Sequence, residues 1–202
     1  AVRLSKHLIA RVYLTASQTG TLIAALPLTV KNYPLEFLMG IDAEDFRTYV
    51  IRPTLQKLDA NSADAELLLL GTAAIESELG AFLKTEGQRT SGIYRLHGLT
   101  HRHIWDDYLA ERPELASKVR GIASQREFLD NPHAELTTNL AYATAVTWLA
   151  YVRHPQFTLP RGASALHLAT LWKNCYHTRD DLTVQDFVQR YEELVESSHA
   201  VA

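Results

Sequence analysis

The 202-residue chain has a single cysteine, Cys175. One thiol closes no internal disulfide, so no covalent framework of that kind holds the fold. No apolar run approaches the length of about 20 residues that a membrane-crossing helix needs. Excess basic charge is also missing. Twenty Lys and Arg stand against 23 Asp and Glu, for a net charge of -3 and a pI near 6.3. That excludes a strongly basic nucleic-acid binder, which needs clustered cations for phosphate. Low-complexity tracts and internal repeats are absent too. What is present is apolar: 47% of residues are hydrophobic. This is enough to build a core and to exclude disorder as the main state. The length fits one domain with a small appendage. The stretch Thr21 to Val30 is the most signal-like, but it contains Pro27 and no small-residue cleavage site follows it. It reads as structure.

The pattern divides the chain at about residue 42. Residues 1–42 carry two short apolar runs, Leu8 to Leu14 and Thr21 to Leu26, around a loop-like Thr15 to Gly20. They read as an extended or β-hairpin arm, which must pack on something because a lone hairpin is marginal in water. Residues 43–202 read as a helical domain. Phe46, Tyr49, Val50, Leu55 and Leu58 recur at helical spacing, with Pro53 kinking or splitting the element. Ser62 caps a helix expected to run to about Leu83, apolar nearly all round and therefore buried and central. Gly87 to Gly92 is a loop or small β-turn. Thr100 is expected to cap a helix ending before Pro113, which opens the next one, up to about Ser124. Asn131-Pro132 is expected to open one long helix through Val152. Ser164 starts another reaching Cys175. Thr183 with Asp186 forms a capping-box variant for the last. The fold class is mainly α.

Glu76 is the residue most suited to chemistry. It sits in the apolar stretch Thr72-Ala73-Ala74-Ile75-Glu76-Ser77-Glu78-Leu79-Gly80, near the end of the buried helix. Partial desolvation there is expected to raise its pKa, as a general acid for glycosidic cleavage requires. A surface Glu, or one paired with an Arg, is the alternative. His97, His101 and His103 lie close to Asp106 and Asp107, but a zinc site needs three or four converging ligands. Capping and surface roles are expected for them, with no metal and no cofactor. Leu79, Phe82, Leu83 and the aromatics Trp105, Tyr108, Trp148 and Trp172 read as core.

Several short matches fall in family order. They are Arg52-Pro53-Thr54-Leu55, Leu69-Leu70-Gly71-Thr72-Ala73-Ala74, Glu76-Ser77, Gly92-Ile93-Tyr94, Thr100-His101, Ile104-Trp105 and Tyr108-Leu109. Asn139-Leu140-Ala141-Tyr142-Ala143 and the segment Trp172 to Thr178 fill two later places. Over about residues 45–197 the chain resembles the lysozyme-like superfamily of soluble lytic transglycosylases, nearest to phage lysozyme-like-domain proteins. The resemblance implies a transglycosylase-type helical domain cleaving the glycan strands of peptidoglycan, as a lytic transglycosylase or a muramidase. It implies Glu76 as the catalytic group and Ser77, Tyr94, Arg95 and Tyr176 as substrate-binding residues. Arg95 stands where the family has Gln, and a cation beside Glu76 favours the ionised carboxylate. The competing expectation is therefore a catalytically decayed structural component of a phage tail or baseplate hub. In either case the chain is expected in the virion after synthesis in the host cytoplasm. Its partners would be peptidoglycan or other virion proteins met through the N-terminal arm, with no nucleic acid and no membrane span.

Overall fold

The computed structural model describes residues 40–83, 90–176 and 181–196, all within the contact unit Glu36–Ala202. The hairpin expected in the arm lies outside the described residues. These are mainly helical, with one two-stranded antiparallel ladder. Among them no helix is long and apolar enough to cross a membrane.

The first helical stretch is α1 (Ala43–Phe46), a wide π-helical turn (Arg47–Ile51) and α2 (Arg52–Lys57). Asp42 caps its start by accepting from the Asp45 N–H at 2.9 Å. Pro53 does not end this stretch, which stays helical on both sides of it. Proline lacks an N–H and its ring crowds the carbonyl four residues back. The π turn just before it widens the backbone and lets the helix run on.

Helix α3 (Ala63–Ser77) is the centre of the larger core. The Ser62 hydroxyl accepts the Ala65 N–H at 3.0 Å. Twelve of its 15 residues are buried, Glu66 and Glu76 among them. Gly71 lets α10 (Val184–Tyr191) approach, since a Cβ there would lie 2.5 Å from the Phe187 ring. The helix ends at Ser77, earlier than Leu83. Glu78 and Leu79 turn left-handed, at φ 52° and 54°. Their N–H groups return to the carbonyls of Ala74 (3.0 Å) and Ala73 (3.1 Å), which closes the end.

The strands β1 (Thr90–Ser91) and β2 (Leu96–His97) pair Thr90 with His97 and Ser91 with Leu96. Gly92 between them is obligatory. Its φ is 80°, and a Cβ would sit 1.7 Å from the Leu136 carbonyl oxygen. Helix α4 (Gly98–His103) starts before Thr100, because His97 is its cap and accepts the Leu99 N–H at 3.1 Å. A second π turn (Ile104–Leu109) continues it, and α5 (Pro113–Ile122) follows with proline in its first turn.

The single long helix expected from Asn131 is instead α6 (Gln125–Asp130), α7 (Glu135–Thr138) and α8 (Leu140–Val152). Asn139 makes the break. Its Oδ1 accepts the Tyr142 N–H at 3.0 Å, and its Nδ2 donates to Ile122 O at 3.0 Å and Glu135 Oε2 at 2.9 Å. A side chain satisfied this way favours capping over helix continuation. Helix α8 centres a second core of Leu58, Leu109, Val119, Leu136 and Val146. Helix α9 (Ala165–Cys175), capped by Ser164, and α10 pack on α3. The Thr183–Asp186 capping box is formed in full, and a last π turn (Glu192–Glu196) follows α10.

Two buried polar clusters fasten these layers. Glu66 accepts from Arg47 Nε at 2.8 Å and from Arg52 Nε at 2.9 Å. Burial would raise its carboxyl, but the two guanidiniums more than offset that and hold it below its usual range. His101 lies between His133 (Nδ1 to Nδ1, 2.8 Å) and the Tyr142 hydroxyl (2.6 Å), which also accepts from Trp105 Nε1 at 2.8 Å. Burial, and then the neighbouring His133, push the His101 imidazole down from 6.5 to about 4.

Both shifts make the fold acid-sensitive, because the unfolded chain binds these protons more tightly than the native one. The His101 share of stability is complete above its unfolded value of 6.5 and is lost as pH falls toward about 4. It amounts to roughly 3 kcal/mol at about 1.4 kcal/mol per pH unit. Denaturant midpoints measured against pH are expected to fall through that window. In His101→Phe the slope there should flatten even though the variant starts less stable. An unchanged slope overturns the assignment.

Candidate active site

Thr72 and Glu76 lie one turn apart on the face of α3 that looks toward α8 and α9. The Thr72 Oγ1 and the Tyr151 hydroxyl are 2.6 Å apart, deep in the core. One turn on, Glu76 Oε1 accepts the indole N–H of Trp172 at 3.0 Å. The Tyr176 ring stacks on Tyr151 with centroids 5.1 Å apart. Burial pushes the Tyr151 and Tyr176 phenols well above their usual value, and the Glu76 charge adds to the shift in both. Both hydroxyls therefore stay neutral. Glu76 itself is buried, with 5% of its surface still exposed.

That residual exposure opens onto two clefts which share Glu76 and Arg95. The larger, about 350 Å³, runs toward α10 and carries Glu78, Asp186, Arg190 and Glu193. The smaller, about 240 Å³, runs toward the C-terminal end of α8 and carries His97, Thr100, Arg153, His154, Asn174 and Tyr176. The first is of mixed charge. In the second, Glu76 is the one carboxylate among the described residues.

The residues singled out in the sequence fall into different places. Glu76, Arg95 and Tyr176 meet at the clefts. The Arg95 backbone is left-handed at φ 47°, and its guanidinium donates to the Phe82 carbonyl at 3.3 Å. The Tyr176 hydroxyl donates to the Tyr94 carbonyl oxygen at 2.6 Å, so its polar end faces inward. Ser77 borders the larger cleft but is 1% exposed, and its hydroxyl works within the fold. It donates to the Ile93 carbonyl and accepts the Gly80 N–H at 2.9 Å. Tyr94 borders neither cleft. Its phenol lies in the core, 3.0 Å from Thr144 Oγ1, and burial raises it.

Phe82, expected in the core, is 48% exposed and walls the larger cleft. Trp172 is buried as expected, yet its N–H is the donor to Glu76. The three clustered histidines separate: His97 caps α4, His101 is buried, and His103 is exposed. Among the described residues no group of three or more His, Cys, Asp or Glu is placed to hold a metal ion.

Sequence reasoning missed Arg153, His154 and Arg190. Arg153 follows the last turn of α8, where a cation reads as a partner of the helix dipole. No local pattern carries the information that it borders a cleft. A hydrolytic mechanism needs a second carboxylate across the cleft; Asp106 and Asp107 border neither cleft, and Glu86 lies outside the described residues. Glu78 is in the larger cleft and is held by Arg190 at 2.7 Å.

The roles of Ser77 are separable by experiment. Ser77→Ala leaves the Ile93 carbonyl and the Gly80 N–H without their partner, at a cost of about 1–3 kcal/mol. A lower thermal midpoint with intact secondary structure is the expected result. A variant as stable as the parent that binds saccharide less tightly would instead place Ser77 on the ligand.

Compared with models of known protein families, with curated proteins and with solved structures, the chain matches none.

Proposed function

We propose that the chain is a lysozyme-like domain that cleaves glycan strands of peptidoglycan, with Glu76 as general acid and then general base. The observation that carries this reading is a carboxylate at the end of the central buried helix, nearly dry, with two open clefts meeting on it. A saccharide lying along both clefts would place a glycosidic oxygen beside Glu76. The sequence resemblance, which places the same residue at the catalytic position, supports it independently.

The arrangement favours the transglycosylase variant. A hydrolase with two carboxylates needs a second acid free to act across the bond. The cleft carboxylates Glu78 and Glu193 are bound to Arg190, and Asp186 is spent in the capping box. One carboxylate suffices when the sugar supplies its own nucleophile. Glu76 protonates the leaving oxygen as the C1–O bond breaks. It then takes the proton of the sugar's 6-hydroxyl as that oxygen bonds to C1, and the products carry no added water.

Arg95 supports a second reading. Its cation borders both clefts beside Glu76. In this reading the same helical body is a virion component without catalysis, joined to tail or baseplate proteins through the N-terminal arm.

Turbidity loss of purified peptidoglycan separates the two. In Glu76→Gln the amide oxygen still accepts the Trp172 N–H, so the fold should hold. Activity is expected to fall about 10²–10⁴-fold. Mass spectrometry of the parent's products should show fragments lighter by one water than hydrolytic ones. No clearing at any pH by the folded parent leaves only the structural reading.

A further inference from the structure

We propose that the smaller cleft is an oxyanion subsite, taking a carboxylate or phosphate group, with Arg153 as its anchor. Four groups around it present donors. Arg95 and Arg153 are guanidiniums. His97 Nδ1 accepts the Leu99 N–H at 3.1 Å, and His154 Nδ1 accepts the Gln156 N–H at 3.3 Å. A ring whose Nδ1 accepts carries a proton on Nε2, so each of these two imidazoles bordering the cleft holds an Nε2–H donor. Thr100 and Asn174 add a hydroxyl and an amide at the same wall.

Arg153 is the decisive member. Its Nε is out of contact with solvent and has no hydrogen-bond partner among the described residues. A guanidinium N–H kept from water with no acceptor is costly. Burial lowers its proton affinity, and Asp107 is the charge that opposes this. Asp107 does not border the cleft. An oxyanion in the cleft would lie against the Arg153 guanidinium, whose charge and N–H groups suit it. A neutral sugar hydroxyl could accept from these donors but brings no negative charge to match the guanidinium.

The proposal rests on the glycan reading only for the natural source of the anion. On a peptidoglycan strand the oxyanion is a carboxylate of the stem peptide, held beside the sugar that Glu76 attacks. The site would then distinguish peptide-bearing strands from bare or neutral glycans.

The test titrates the full chain with three probes: a disaccharide–peptide fragment of peptidoglycan, chitotetraose and inorganic phosphate. Binding is followed by calorimetry and by the amide resonances of Thr100 and Asn174. In Arg153→Gln the affinity for the peptide fragment and for phosphate is expected to drop about tenfold or more, with a much smaller loss for chitotetraose. Arg153→Lys should recover part of the loss, which a merely unfolded variant would not. Phosphate that binds through Arg153 while neither glycan probe binds would keep the subsite and remove the glycan reading. Equal anion affinity in parent and Arg153→Gln overturns the subsite, as does the absence of anion binding in the parent.

Discussion

A carboxylate taken out of water must be met by donors, or it destabilises the fold by several kcal/mol. Helix α3 carries two such groups on an otherwise apolar surface, Glu66 at 4% and Glu76 at 5% exposure. Each therefore selects what can pack against it. Glu66 recruits Arg47 and Arg52, which fasten the first helical stretch across the early turns of α3. Glu76 recruits the Trp172 indole, which fastens α9 across its last turns. The same requirement that organises the core leaves one carboxylate at its boundary, where the packing opens into clefts.

The backbone around Glu76 is shaped to the same end. Glu78, Leu79 and Arg95 are all left-handed without being glycine, a conformation that costs about 1–2 kcal/mol each. Such residues persist only where their surroundings hold them. Here Ser77 ties the end of α3 to the turn after β1, and Leu79 O accepts the Ile41 N–H at 2.8 Å. Residues 40–42 thus pack with the helical body. This rigid corner sets Glu76 and Arg95 between two clefts of unlike character. One pairs its charges internally through Arg190. The other gathers donors around a single carboxylate, and that asymmetry gives the groove a direction.

Local signals were legible where a short side chain meets a backbone end. Ser62, Ser164 and the Thr183–Asp186 pair all cap as their spacing indicates, and Pro113 sits in a first turn. The near-uniform apolar character of Ala65 to Ile75 marked the central helix. Errors arose where a side chain's partner is distant in sequence. Asn139 breaks a helix because Ile122 and Glu135 are there to receive its amide. Pro53 stays within a helical stretch where the backbone widens ahead of it, and that π turn packs on α3 and α8. Tyr94 resembles a sugar-facing aromatic in its motif, but Thr144 draws its hydroxyl into the core.

The amino-acid order by itself determined most of the helices, the caps at Ser62, Ser164 and Thr183–Asp186, the buried course of α3 and the placing of Glu76 near its end. These follow from interactions spanning a few residues, whose energies the local chain already contains. Tertiary structure decided that Trp172 reaches Glu76 across 96 positions and that Arg153 arrives at the same cleft as His97. Clefts are made from the gaps between helices. Their depth and charge depend on crossing geometry, and that geometry emerges only when distant surfaces meet and exclude water.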